Sequence, residues 1–214
     1  MLKKELEQFI KTNIEKQQAL QQESTEIVLY KEEKDYIEKY ELLSDDLRTT
    51  LTFVESNSIA RFNDAYIERS AKETEEVIAI ETSSFLDKPV QYFKEHKEEF
   101  IYLESKWFEL IGVDAISFEV DDVFGTYNVM LGLKLQKKFE NLIRKYLNQE
   151  LKGTEINFNL MFNQNDGLWD LNFPLDLLQE FKENITIGEA FRLIYRFLFS
   201  LVEAVEEANK NAKQ

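Results

Sequence analysis

Carboxylate and amide side chains that could bind a ligand recur at every second position in three segments of the sequence. Their oxygens are the ligands that hard cations such as Mg²⁺ and Ca²⁺ prefer, and they also hydrogen-bond polar metabolites. Alternation would place them on one face of a sheet, because successive side chains of a strand point to opposite faces. An antiparallel sheet often leaves one face in water, so a hydrated face without a ligand is the commoner outcome. The candidate ligand-binding residues are Glu119, Asp121, Asn157, Asn159, Asp170 and Asn172.

A β-hairpin is expected to position most of these side chains. Apolar and polar residues alternate over 156–163 and again over 168–173. Gly167, just before the second run, can adopt the positive φ that short hairpin turns require. The apolar pairs expected across the strands are Phe162–Trp169, Leu160–Leu171 and Phe158–Phe173. The other expected pairs are Asn163–Leu168, Met161–Asp170 and Asn159–Asn172.

The remaining periodicity predicts long helices around a small sheet. Apolar residues at helical spacing, together with capping-box patterns at Ser70 and Thr186, predict five helices. Segments rich in β-branched residues predict three more strands, and residues around Tyr36 fit a helix or a strand equally well. The predicted helices cover 2–22, 70–87, 89–111, 126–150 and 187–208, and the predicted strands cover 26–30, 49–54 and 116–121.

These elements predict one α+β domain spanning residues 1–214. Its small antiparallel sheet would include the hairpin of the C-terminal half and would be covered by long amphipathic helices. A shift in charge near residue 112 marks a candidate boundary within the domain.

Composition narrows the function classes. The chain has 214 residues, a net charge of −15 and no cysteine. A chain this acidic is repelled by the phosphates of nucleic acids and by anionic membrane surfaces. We therefore expect neither a nucleic acid nor a membrane as a partner. The charged N-terminus lacks the apolar core of a signal peptide, and no apolar run approaches the ~20 residues of a membrane span. We therefore expect a cytoplasmic protein whose acidity would suit a basic partner.

Catalytic signatures are absent from the sequence. His96 is the only histidine, so di-iron bundles that need two Glu-x-x-His pairs are excluded. It lies in a highly charged stretch, where an exposed side chain without a catalytic role is expected. No glycine-rich phosphate loop or Gly-x-Ser-x-Gly elbow occurs. The sequence thus favours a protein that is not an enzyme and has no cofactor.

Three stretches resemble a group of small acidic cytosolic bacterial proteins of unknown activity, some of which carry the label branched-chain amino-acid aminotransferase. The resembling stretches are 64–69, 110–122 and 166–172. The label implies pyridoxal-phosphate chemistry, which needs a Schiff-base lysine and a phosphate cup. Lys134 and Lys152 are the conceivable lysines, and the resemblance brings no active-site motif to either of them.

Two functions follow as expectations. The first is a non-catalytic protein-interaction module with an acidic surface, whose partner would be a basic protein. The second is a small-molecule- or metal-binding protein, or an aminotransferase-like enzyme, that uses the polar face of the sheet. The last predicted helix is apolar nearly all round, which suits a buried core helix in a monomer and an interface in a homodimer equally well.

Overall fold

Two units make up the chain in the computed structural model, which describes residues 1–19, 26–44, 47, 51–151 and 158–212. The units are Met1–Arg61 and Phe62–Gln214. Position 112 lies inside the second unit, between two strands that pair with each other. A single domain with a boundary near 112 stays a prediction.

The first unit contains α1 (Leu2–Ala19), β1 (Glu26–Leu29), α2 (Lys31–Lys39) and β2 (Thr52–Glu55), and the two strands pair in parallel. The strand predicted over 26–30 is therefore present, and so is the described part of the one predicted over 49–54, whose first two residues lie outside the described ranges. The ambiguous stretch around Tyr36 is the helix α2.

Buried charge in the first unit is paired. The side chain of Arg61 is 2% exposed, and its guanidinium donates to Glu33 at 2.6 Å and to Glu32 at 2.5 Å. Glu33 also accepts the backbone N–H of Tyr30 at 3.0 Å. Because an unpaired charge in this position would be costly, the ion network stabilises the unit only as a complete set.

A seven-stranded antiparallel sheet dominates the second unit, with strand order β4-β3-β5-β6-β7-β9-β8. The α+β class is therefore confirmed, and the prediction of a small sheet is wrong. The strands are β3 (Tyr66–Ala71), β4 (Val77–Glu81), β5 (Glu99–Glu104), β6 (Val113–Val120), β7 (Tyr127–Leu133), β8 (Asn159–Asn163) and β9 (Leu168–Pro174).

Helices of the second unit pack on one face of this sheet, which we call the covered face. Phe118 of β6 lies at the centre, with its ring centroid 5.1 Å from that of Phe93 and 6.0 Å from that of Phe191. Phe173 of β9 meets Phe197 at 5.0 Å. The helices are α3 (Tyr92–Glu95), α4 (Lys106–Leu110), α5 (Glu140–Glu150) and α6 (Ile187–Asn211).

The last helix and the hairpin agree with prediction. Thr186 and Glu189 form the expected capping box, with Glu189 N–H donating to Thr186 Oγ1 at 3.1 Å and Thr186 N–H donating to Glu189 at 2.7 Å. The observed hairpin pairs, from Asn159–Asn172 to Asn163–Leu168, have the predicted register.

Helices predicted over 70–87 and 89–111 are wrong for most of their length. These residues form the end of β3, then β4 and β5, with the short helices α3 and α4. Ser70 does not cap a helix. It is buried in β3, and its hydroxyl donates to Glu68 at 2.8 Å. Long amphipathic helices therefore do not cover this part of the sheet.

The helix predicted over 126–150 is right only in its second half, which is α5. Its first half is the strand β7. Val129 and Leu133 are four residues apart, a spacing that fits both a helix and a strand, because four is close to 3.6 and is a multiple of two. Both side chains are buried in the covered face.

No helix within the described ranges has both the length and the apolar character needed to cross a membrane.

Candidate functional site

The second face of the sheet, which we call the open face, carries the alternate residues of every strand. Cross-strand registers align one complete row of side chains on it. The row changes in character from one edge of the sheet to the other, being acidic and aromatic on β3 and β5 and amide-rich on β8 and β9. Its members in order are Ile80, Glu68, Tyr102, Ser117, Met130, Asn172 and Asn159.

Four of the sequence-predicted ligand residues lie on this face without forming one cluster: Glu119, Asn159, Asp170 and Asn172. Strand β7 separates Glu119 on β6 from Asp170 and Asn172 on β9, and two strand spacings amount to about 10 Å. Asn159 pairs directly with Asn172, and Asp170 lies on the same face two residues along β9. One bound cation could therefore contact the β8–β9 group or Glu119, but not both.

Two of the predicted residues do not belong to that arrangement. Asp121 lies beyond the end of β6, where its Oδ1 accepts the backbone N–H groups of Val123 at 2.9 Å and Phe124 at 2.7 Å. It therefore stabilises the turn into β7. Asn157 lies outside the described residues.

Glu119 already has a basic neighbour. Lys72 Nζ lies 3.8 Å from its Oε1 and 3.4 Å from Asp122, and it also donates to the carbonyl of Val120. Burial raises the pKa of Glu119 above its ordinary value, and the attraction of Lys72 partly opposes that shift. This carboxylate is half-buried, and Lys72 is its basic neighbour.

A second set of open-face residues, which sequence reasoning missed, forms a tyrosine–glutamate patch defined by Tyr66, Glu68, Tyr102 and Glu104. Tyr66 pairs with Glu104 and Glu68 pairs with Tyr102, so each tyrosine has a glutamate both across the strand pair and two residues along its own strand. Each hydroxyl donates at 2.6 Å to the glutamate two residues along its own strand. The two rings lie edge to face with their centroids 6.5 Å apart.

The patch lines a shallow depression of about 530 Å³, together with Phe100 and Glu75. No lysine or arginine is among the described residues that line it. Two cations that neighbour the patch in sequence bind other carboxylates. Lys106 binds Asp64 at 2.5 Å, and Arg69 lies on the covered face, where it binds Glu99 at 2.8 Å and Glu81 at 3.0 Å. The depression therefore combines aromatic surface with negative charge that no cation among the described residues neutralises.

The tyrosine hydroxyls respond to this negative charge. The hydrogen bond to Glu68 raises the pKa of Tyr66 above its ordinary value, and Glu104 adds to the effect. Burial is the larger cause for Tyr102, and Glu104 raises the pKa of that hydroxyl further. Both tyrosines are thus neutral donors at physiological pH, and each holds a carboxylate in a defined orientation.

One cluster with potential metal ligands occurs in the described part of the chain, formed by His96, Glu98 and Glu99. His96 Nδ1 lies 3.8 Å from Glu98, and the imidazole stacks on Tyr92 at 4.2 Å. Both oxygens of Glu99 already accept hydrogen bonds from Arg69 Nη1 at 2.8 Å. A metal at this site would have to compete with that ion pair.

Lys134, one of the two lysines considered for pyridoxal phosphate, is exposed at the end of β7 and does not line the depression. Lys152 lies outside the described residues.

Comparisons with known proteins find no protein-family model, no curated protein and no solved structure that matches this chain. The resemblance to acidic bacterial proteins therefore stays a prediction, and the functional argument depends on the geometry of the open face.

Proposed function

We propose that this protein is a non-catalytic cytoplasmic interaction module that binds a basic protein through the tyrosine–glutamate patch. One observation carries the proposal: three aromatic and three acidic side chains line the same depression, and no basic side chain lines it within the described ranges. The net charge of −15 would steer a basic partner toward the module over longer distances.

The patch supplies two complementary attractions for a lysine or arginine of the partner. Glu68 and Glu104 offer carboxylate oxygens, and the faces of Tyr66 and Tyr102 attract cations through their ring quadrupoles. Tyrosine is also among the residues that contribute most to binding at protein interfaces.

Hydrogen bonds within the patch prepare it for binding. Glu68 accepts from Tyr66 and from Ser70, and Glu104 accepts from Tyr102. Because these side chains are already ordered, less rotamer freedom is lost when a partner binds.

The test is a pull-down from cell extract with three tagged proteins, each at low and at moderately high salt. The first is wild type, and the second carries Glu68→Gln and Glu104→Gln. The third is a control of equal net charge that carries Glu109→Gln and Glu150→Gln, two exposed helix positions in α4 and α5.

We expect wild type and the control to retain the same basic partner at low salt, with weaker retention at high salt because ions screen exposed charges. The patch variant should lose that partner. Equal retention by all three proteins would overturn the proposal, and so would an extract that contains no salt-sensitive partner.

The ligand-binding alternative is favoured by one local arrangement. Asn159, Asp170 and Asn172 bring two amides and a carboxylate together on neighbouring strands, and such oxygens suit a hard cation or a polar metabolite. Glu119 and Asp121 are too far away or already engaged to share that ligand. Thermal-shift measurements with Mg²⁺, Ca²⁺ and a panel of polar metabolites test this alternative. A stabilisation that Asp170→Ala abolishes would support it, and the absence of any shift would remove it.

A further inference from the structure

Strand β4 (Val77–Glu81) forms one edge of the seven-stranded sheet and presents apolar side chains there. Val77 is 54% exposed, Ile78 is 46% exposed and Ile80 is 57% exposed. Along an edge strand, alternate backbone N–H and C=O groups have no neighbouring strand to bond. An exposed apolar edge of this kind can accept a further strand from another chain.

The opposite edge of the sheet is protected in a way that β4 is not. On β8, the guanidinium of Arg144 donates to the backbone carbonyl of Leu160 at 2.9 Å. Within the described ranges, the hydrogen bonds to the backbone of β4 come from β3 alone. The two edges therefore differ in access to their backbone groups.

Charge around β4 indicates the kind of segment that would pair with it. Glu73, Glu75 and Glu76 immediately precede the strand and are exposed. None of the three forms an ion pair with a described residue, and the adjacent Lys72 is engaged by Val120, Glu119 and Asp122. A segment carrying lysine or arginine would complement this charge.

The same charge argues against a second copy of this chain as the occupant. Antiparallel pairing of β4 with itself would bring the glutamates that precede one strand close to Glu81 at the end of the other. Like charges placed across a strand pair are destabilising. A basic segment from a different protein avoids that repulsion.

We infer that β4 binds an extended basic segment of the partner as an eighth strand of the sheet, an inference that rests on the proposed function. Ile80 pairs with Glu68 on the open face. A side chain of the added strand opposite Ile80 would therefore begin two strands away from Glu68, at about 10 Å. A long arginine can lie over Ile80 and extend its guanidinium toward the tyrosine–glutamate patch.

The β-bulge of β4 restricts where such pairing can occur. The register with β3 shifts next to Ile78, and regular pairing covers Ala79–Glu81. Bulges weaken edge-to-edge association, so we expect the added strand to be short and centred on Ile80, with much of the affinity coming from its side chains.

The experiment measures the fluorescence anisotropy of a labelled six-residue peptide of alternating arginine and valine. Its matched probe has the same sequence with a methyl group on every backbone nitrogen, which removes the donors needed for strand pairing. Two protein variants accompany wild type: Ile80→Lys on β4, and Met161→Lys on β8 as the control. Met161 is 60% exposed, close to the exposure of Ile80, so both variants place a lysine at a solvated edge position.

We expect wild type and Met161→Lys to bind the unmethylated peptide with similar affinity. Methylation of the peptide, or Ile80→Lys, should weaken binding by about tenfold or more. Equal binding of the two peptides, equal binding by Ile80→Lys, or no binding of either peptide would overturn the inference. The proposed function has a separate criterion, because the pull-down tests it by whether wild type retains a salt-sensitive partner that the Glu68→Gln/Glu104→Gln protein loses.

Discussion

The two faces of the seven-stranded sheet use the same strands for different purposes. On the covered face, Ile116, Phe118 and Val120 of β6 are fully buried beneath helices. On the open face, the alternate residues of β3 and β5 form a hydrogen-bonded patch of tyrosines and glutamates. Because successive side chains of a strand point to opposite faces, residues that stabilise the fold alternate with residues that are available for binding.

Charge on the two faces shows a second difference. On the covered face, Arg69 is bound by Glu99 and Glu81, so its charge is neutralised where solvent is scarce. On the open face, Glu68 and Glu104 accept hydrogen bonds from neutral hydroxyls and have no cationic partner among the described residues. The pairing of Arg69 on the covered face and the unneutralised charge of Glu68 and Glu104 on the open face are the difference on which the proposal of a basic partner depends.

The largest expected effect is on the covered face. Phe118→Ala removes a fully buried ring that contacts Phe93, Tyr127 and Phe191. We expect the free energy of unfolding to fall by about 3–5 kcal/mol, from lost transfer energy and the cavity that remains. Urea denaturation measures this loss. Met161→Ala on the open face is the control and should cost less than about 1 kcal/mol, and similar losses for both variants would contradict the assignment of the faces.

A smaller effect is expected from the ion pair of the covered face. Arg69→Met would leave the Glu99 carboxylate, which is 9% exposed, without its cationic partner. Because Arg69 is itself partly solvated, we expect a loss of about 2 kcal/mol, below the range for fully buried pairs. The double variant with Glu99→Gln should recover part of this loss. If Arg69→Met lowers the free energy of unfolding no more than Glu104→Gln does, the ion pair of the covered face does not stabilise the fold, and the proposed difference between the two faces is contradicted.

The smallest effect concerns tyrosine ionisation. The pKa of Tyr66 is raised chiefly by its hydrogen bond to Glu68, whereas burial raises the pKa of Tyr127 on the covered face. A raised folded-state pKa contributes stability that is complete below the unfolded value of about 10 and is lost as the pH rises through the folded value. Glu68→Ala should lower the pKa of Tyr66 and leave that of Tyr127 unchanged. Ring-carbon NMR shifts followed against pH measure both values, and a parallel change in the two tyrosines would contradict their different causes.

Local patterns with a single interpretation predicted the structure well. The hairpin register follows from strict alternation around Gly167, whose φ is +70°. Thr186 and Glu189 begin α6 with both expected hydrogen bonds, and the apolar helix that follows is central to the core. In these regions, tertiary contacts reinforce the structure that the local sequence favours.

Between Ser70 and Leu133 the prediction was wrong because the apolar spacing fits both the helical period of 3.6 residues and the strand period of two. Ser70-x-x-Glu73 matches a capping box, but the Ser70 hydroxyl bonds Glu68 within a strand. The run 77–80 is rich in β-branched residues and forms β4, although its spacing also continued a helical stripe. The β-propensity of these residues and their pairing with β3 outweighed the helical spacing of the apolar side chains.

The tyrosine–glutamate patch was missed for the same reason. Its signal is a Tyr-x-Glu pattern that occurs at Tyr66 and again at Tyr102. The pattern places a tyrosine and a glutamate on one face only if both segments are strands, whereas the apolar spacing over 89–111 predicts a helix. Predicting the patch also requires the pairing of β3 with β5, a contact between residues more than 30 positions apart in the sequence.

The most direct test of the central claim is to map where a basic ligand contacts the folded protein. Amide NMR shifts of isotope-labelled protein would be followed while the alternating arginine–valine peptide is added. We expect the largest changes at Tyr66, Glu68, Tyr102 and Glu104 and along Val77–Glu81, and small changes at Asn159 and Asn172. Changes concentrated on β8 and β9, or spread evenly over the acidic surface, would contradict a binding site at the tyrosine–glutamate patch.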